Sequence, residues 1–295
     1  MCNRANETIM RSLCKFFAIT FILSWVLWMA AEAILHWDAS WRPGLNAIGG
    51  ALYLLGVFAP AFVAILLTTQ SAGRAGMLAL LRRTIKWSVP ARWYVFAIGY
   101  FLAIKFAVAI VHRLVVGNWP GFTDTPWFVM LAGIVFSTPF QAGEELGWRG
   151  YALPRLSNHF GLRVASIILG VVWACWHLPF FFVSGTDKSG QSFPVYLLAV
   201  TALSVPMAWL YWRTNGSLLL TMLMHSAVNN TNIVPTPASS VVNPFLLRSS
   251  LVSWLTTALL WLCAGYFLIR IRRATLQCDE PLVSDRRDIA SAAAA

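Results

Sequence analysis

Eight apolar stretches, at roughly 15–35, 50–70, 93–113, 127–150, 164–184, 193–213, 216–234 and 250–270, run through this chain of 295 residues. Each approaches the roughly 20 helical residues (range about 17–25) that cross the hydrocarbon core of a bilayer. No water reaches that core, so each stretch must satisfy its backbone hydrogen bonds internally, as a helix. The expected fold class is therefore all-α, a polytopic bundle of about eight transmembrane helices. Composition agrees, because 11% of the residues are charged and 58% hydrophobic, whereas a soluble domain carries about 25% charged residues. A single membrane domain over residues 1–273 accounts for the apolar stretches. The remaining 274–295, ending in alanines, reads as a disordered cytoplasmic tail.

The net charge of +11 is unevenly placed. Seventeen of the 22 basic residues fall on one side of the expected spans, including Arg82, Arg83, Lys86, Arg155, Arg163 and Arg213. Four, Arg42, Arg113, Lys188 and Arg248, fall on the other, and Lys105 lies inside the third span. Positive charge is retained on the cytoplasmic side, so both termini are expected there, in a multi-pass protein of the cytoplasmic membrane. The same rule accounts for the charge without nucleic acid, leaving membrane lipids as the expected surroundings. The first span, with Ala31-Glu32-Ala33 near its end, has a secretory leader as its alternative reading. Trp25, Trp28 and Trp37 are expected as interfacial belt aromatics. The five cysteines form no CxxC pair, and Cys175, two residues before His177, reads as a small hydrophobe rather than a nucleophile.

Against this apolar background a few polar groups stand out, because an ionisable side chain at bilayer depth costs roughly 2.5–3.5 kcal/mol even on insertion scales. They fall in Gln141-Ala-Gly-Glu-Glu-Leu-Gly-Trp-Arg149, Trp173-Ala-Cys-Trp-His177 and His225-Ser-Ala-Val-Asn229. Adjacent helical residues point in different directions, so Glu144 and Glu145 are expected to have separate roles. Glu145 precedes Arg149 by four residues, the favourable order for a helical ion pair, which leaves Glu144 to face another helix. His177 is followed by Leu178 and Pro179, and the proline is expected to kink the span and open a cavity. His225 and Asn229, four apart, share one helix face and both can donate hydrogen bonds. The topology is read as placing all of them in the cytoplasmic half of the membrane. An acid, a histidine and a pair of donors suit water activation followed by amide hydrolysis.

The order EExxxR, aromatic-xxx-H, HxxxN on successive membrane helices resembles the CAAX prenyl protease and bacteriocin-processing (CPBP, or Abi) intramembrane proteases, over about residues 127–234. The resemblance implies Glu144 as the catalytic carboxylate, His177 as its partner in activating water, and His225 and Asn229 as the oxyanion site. Glu145 and Arg149 would support the motif. Trp173 stands where the second motif often has Phe, a departure expected to reshape the pocket wall while leaving the chemistry intact. Substrates implied are the C-terminal tails of lipid-modified proteins or bacteriocin-like peptides, cut near the cytoplasmic face.

Two histidines and a glutamate can also make a His₂Glu zinc site, with Glu144, His177 and His225 as ligands. The absence of HExxH spacing and the sufficiency of Glu144, His177 and Asn229 favour a metal-free reading, with zinc as the alternative. A transporter relaying ions through Glu144 and His177 would be expected to show two related halves, and none is evident. A non-catalytic immunity protein would be expected to lack a motif residue, and all are present. The sequence leaves the oligomeric state open.

Overall fold

The computed structural model describes residues 2–35, 43–183, 186–235 and 243–271. The tail at 274–295 and Trp37 lie outside the described residues. Those described form nine α-helices and no strand: α1 (Cys2–Leu35), α2 (Pro43–Arg82), α3 (Ala91–Val116), α4 (Trp127–Ser137), α5 (Ala142–Glu145), α6 (Leu153–Trp176), α7 (Phe193–Arg213), α8 (Leu218–Asn230) and α9 (Leu251–Arg270). The chain is an all-helical membrane bundle. Local sequence sets many of the boundaries. Ser192, Ser217 and Ser250 begin α7, α8 and α9, each side chain accepting from a backbone N–H three residues on, as serine N-caps do. Gly117 ends α3 in the left-handed region, at φ 83°, where a residue without Cβ is favoured.

Among the described residues, six stretches are long and apolar enough to cross a membrane: Glu7–Leu35, Asn46–Ile85, Ala91–Val116, Trp127–Trp176, Phe193–Arg213 and Leu251–Arg270. The fourth and fifth expected spans share the run Trp127–Trp176. That run is interrupted by a 3₁₀ turn at Thr138–Gln141 and a π-helix at Leu146–Ala152. It breaks again at Gly161, where φ is 76° and ψ 155°. The expected seventh span is the 13-residue α8, about 20 Å long at 1.5 Å per residue, against a hydrocarbon core of about 30 Å. Pro179 opens a 3₁₀ turn at Leu178–Phe181. It ends α6 after Trp176, with His177 as the capping residue, instead of kinking a longer span.

The two ends of the bundle differ. At one, Arg83 donates to the Tyr211 hydroxyl, Lys86 Nζ to the Asn215 carbonyl, and Arg163 Nε to the Ile271 carbonyl. This basic end gathers the α2–α3 and α7–α8 connections with the end of α9. At the opposite end, Ser192 Oγ donates to the Leu246 carbonyl and Thr123 N–H to the Ile233 carbonyl.

Helix α1 builds part of the core around α6. Trp25 Nε1 donates to the Trp176 carbonyl, and Trp176 Nε1 donates to Ser24 Oγ, which donates in turn to the Gly56 carbonyl. Trp28 lies with its ring centroid 4.6 Å from that of Trp176 and 4.2 Å from that of Phe180. Trp25 and Trp28 are thus packing residues facing inward, not belt aromatics. Their large rings fill the space between α1, α2 and α6 and find polar partners there.

Helix α2 touches the glutamate-bearing segment at Gly147. A Cβ on Gly147 would sit 2.5–2.8 Å from the Cβ, carbonyl carbon and carbonyl oxygen of Pro60. Two of these are backbone atoms, which cannot rotate away. Gly147→Ala is therefore expected to cost about 1–3 kcal/mol through overpacking, read as a lowered midpoint of thermal unfolding.

Candidate active site

The segment from Gln141 to Ala152 passes from 3₁₀ to α to π-helix within twelve residues. π-Helical turns are rare and concentrate at functional sites. Here the wide turn still aligns partners four apart. Glu144 Oε2 accepts from Trp148 Nε1 at 3.3 Å, and Glu145 Oε1 accepts from Arg149 at 2.7 Å. The two glutamates face different surroundings, as their adjacency requires. Glu145 and Arg149 are each fully buried. The guanidinium also donates to Met207 Sδ and stacks over Trp173, 4.3 Å from the ring centroid.

Glu144 points to α6. Its Oε2 accepts a second indole hydrogen bond from Trp173 Nε1 at 2.7 Å. Both printed donors share that one oxygen, and Oε1 accepts no hydrogen bond from the described residues. Trp173 also places His177 one turn later. Its carbonyl lies 2.9 Å from His177 Nδ1. A carbonyl only accepts, so Nδ1 carries the proton, and Nε2 of the neutral ring has its lone pair free. His225 follows the same logic. Its Nδ1 lies 3.0 Å from Glu145 Oε1, so Nδ1–H donates to the carboxylate and Nε2 faces the other way. Glu145 Oε1 thus joins Arg149 to His225, and the buried ion pair orients a histidine on another helix. Asn229, one turn beyond His225, is exposed, and its amide makes no hydrogen bond among the described residues.

Glu144, His177, His225 and Asn229 line one cavity of about 750 Å³. Gln141, Trp173, Tyr196 and Lys105 also line it, whereas Glu145 and Arg149 do not. The six sequence-derived residues thus divide into four that face the cavity and two that stand behind it.

Along the bundle, these residues lie toward the end opposite the basic connections. His177 caps the far end of α6 and Asn229 is the penultimate residue of α8. Both helices run away from the basic end. His177 lies about 24 Å from the break at Gly161, by helical rise. The polar rim of the cavity, including Asp187, Lys188, Gln191, Thr231, Asn232 and Ser249, comes from connections at the opposite end. The charge count assigned that end to the side away from the cytoplasm.

Sequence reasoning also missed the indole donors. Trp173 was read as pocket wall, although its position four before His177 puts it on the same helix face. Trp148 lies four after Glu144 and carried the same signal.

A family model described as type II CAAX prenyl endopeptidase Rce1-like matches residues 122–231, the segment holding every residue of the motif. A relative named CAAX prenyl protease 2, from Methanococcus maripaludis, is 24% identical over 232 residues, which is 72% of this chain and 81% of the relative. Both matches support the resemblance to the CPBP family. They support a CAAX-protease-like endopeptidase in a multi-pass membrane protein.

A zinc centre is the alternative reading of this site. Among the described residues, no three His, Cys, Asp or Glu side chains converge as an ion requires. Glu144 Oε2 is already engaged by two indole N–H groups.

Proposed function

We propose that this protein hydrolyses a peptide bond near the C-terminus of prenylated, CAAX-type substrates, using Glu144 and His177 to activate water. The observation that carries the reading is the convergence of Glu144, His177, His225 and Asn229 on one cavity. Water held between Glu144 Oε1 and His177 Nε2 attacks the scissile carbonyl carbon and gives up a proton to this pair. The carbonyl oxygen becomes an oxyanion, which the Asn229 NH₂ group stabilises by donation. Collapse of the tetrahedral intermediate breaks the C–N bond, and His177 returns the proton to the leaving amine. The products are a carboxylic acid and an amine.

His225 takes a more specific part. Because Nδ1–H is committed to Glu145, donation from Nε2 to the oxyanion requires the doubly protonated ring. Glu145 behind it fixes the orientation of the ring. Removing one oxyanion donor costs about 10²–10³-fold in kcat in a soluble protease.

The prenylated substrate class is taken from the archaeal relative's name and is supported by the cavity's apolar wall, which includes Val57, Phe101, Phe140, Phe180 and Leu203. The test is incubation of the purified full chain in liposomes with a farnesylated C-terminal peptide, followed by mass spectrometry. A single cut releasing a C-terminal fragment is expected. No cleavage of prenylated or unprenylated peptide overturns the reading.

Trp173 refines the mechanism. Its indole N–H holds Glu144 Oε2, leaving Oε1 toward the cavity. Phenylalanine, common at this position in the family motif, has no such donor. A hydrogen bond to a charged group contributes about 1.5–3 kcal/mol, so Trp173→Phe is expected to lower kcat by about 10- to 100-fold with little change in KM. Unchanged kcat would assign Trp173 to packing alone.

A further inference from the structure

Tyr196 lines the cavity beside His177, and the hydrolytic arrangement above does not use it. It sits in the first turn of α7, which Ser192 fixes by accepting from the Val195 N–H and donating to the Leu246 carbonyl. Further along, α7 is pressed against α6. A Cβ on Gly170 would meet the Thr201 Cα at 2.7 Å and the Ser204 Cβ at 2.9 Å. From that contact His177 lies about 10 Å along α6, and Tyr196 about 8 Å back along α7. The two side chains therefore meet at one level. Their rings stand edge to face with centroids 5.7 Å apart, and the Phe181 ring lies 5.2 Å from that of Tyr196. The Tyr196 hydroxyl makes no hydrogen bond among the described residues, yet it is not sealed in the core. An enclosed tyrosine hydroxyl usually finds a partner, and here the cavity is where one can bind.

Other donors on this wall are already engaged. The Trp173 and Trp176 N–H groups go to Glu144 and Ser24, and the Thr256 and Thr257 hydroxyls go to carbonyls of their own helix. His225 holds its proton on Nδ1, toward Glu145, so its neutral ring offers the cavity a lone pair instead of a donor. Hydrolytic sites commonly meet a developing oxyanion with more than one donor. We propose that the Tyr196 hydroxyl is a second oxyanion donor, acting with the Asn229 amide on the scissile carbonyl oxygen. The proposal rests on the endopeptidase reading above. A phenol keeps its proton at neutral pH, so this donation needs no change of charge state. As the carbonyl carbon becomes tetrahedral, negative charge grows on its oxygen and the hydrogen bond from Tyr196 strengthens. When the C–N bond breaks, the charge returns to the carbonyl double bond and the hydrogen bond relaxes. The tyrosine loses no proton at any step. Its contact with His177 puts it near the attacked carbonyl, because the water held by His177 must lie within about 3–3.5 Å of that carbon.

The experiment measures cleavage of a farnesylated peptide by the full chain in liposomes, and inhibition by two analogues of that peptide. One carries an aldehyde at the scissile carbonyl, whose hydrate imitates the tetrahedral intermediate. The other has a reduced CH₂–NH bond there and no carbonyl oxygen. Tyr196→Phe keeps the ring against His177 and removes only the hydroxyl. It is expected to lower kcat by about 10²–10³-fold with KM nearly unchanged, as loss of one oxyanion donor does. The aldehyde is expected to bind more weakly by a comparable factor, and the reduced analogue to bind as it does to wild type. Tyr53→Phe, which removes a hydroxyl elsewhere on the wall, is expected to cleave like wild type. Unchanged kcat in Tyr196→Phe, a loss confined to KM, equal weakening of both analogues, or a matching loss in Tyr53→Phe overturns the oxyanion role while the endopeptidase reading stands. If wild type leaves the peptide whole, both fall. Should Tyr196→Phe fail to fold, Tyr196→Gln and Tyr196→Leu make the comparison, since they are similar in size and only glutamine donates. Glutamine is then expected to retain about 10-fold more kcat than leucine, and equal rates overturn the role.

Discussion

Glu144→Gln is expected to reduce kcat by about 10²–10⁴-fold, the contribution of a well-placed general base, with KM and thermal stability nearly unchanged. The amide keeps the size of the carboxylate, and its oxygen still accepts from the indoles of Trp148 and Trp173. It cannot take a proton from water. The loss therefore isolates chemistry from packing, which an alanine at this buried position would not do. His177→Ala is expected to fall as far, since in the proposed mechanism the ring shares the water and protonates the leaving amine. Peptide cleavage followed by mass spectrometry, beside a melting curve for each variant, makes the measurement. Full activity in Glu144→Gln would remove Glu144 from the mechanism.

Breaking the Glu145–Arg149 pair is expected to be the most destabilising single change in the site. Both side chains are fully buried and 2.7 Å apart, so removing one strands a charge in the bundle. Such a change costs about 3–5 kcal/mol, and either Glu145→Ala or Arg149→Ala should show it as a large fall in unfolding midpoint. The double variant Glu145→Gln/Arg149→Met places no charge there and is expected to recover most of the stability, because neutral replacements of buried pairs are often tolerated. Activity is expected to stay low. His225 Nδ1–H would face an amide in place of the carboxylate that orients the ring. A stable, fully active double variant would show that Glu145 has no influence on His225.

Much of this was legible in one dimension. Hydrophobic length required membrane helices, and the separation of the two glutamates followed from adjacent residues pointing apart on a helix. The Glu145–Arg149 spacing survived even the π-helical turn, because partners four apart remain close there. Other features were hidden for identifiable reasons. The π-helix itself has no distinct residue pattern, and its close approach to α2 shows only as Gly147 meeting Pro60. The end of α6 at Trp176 was mistaken for a kink, because a proline after a histidine is compatible with either. Trp25 and Trp28 were assigned to the interface by composition, yet the packing of α1 against α2 and α6 turned them inward.

The distribution of apolar and polar residues by itself determined that this chain is a helical membrane bundle, and that Glu144, His177, His225 and Asn229 are anomalous within it. Local periodicity and solvation suffice for such statements, since every apolar helix must meet the same bilayer. Only the tertiary structure decided which atoms of those residues are committed. Trp173 and Trp148 hold one oxygen of Glu144. The Trp173 carbonyl and Glu145 each take an Nδ1 proton and leave an Nε2. It also decided that the cavity lies toward the end away from the basic connections and that Lys105 shares it. These are contacts between residues as far as 129 positions apart, as for Lys105 and Val234. Hydrogen-bond direction depends on the relative placement of whole helices, which no local pattern encodes.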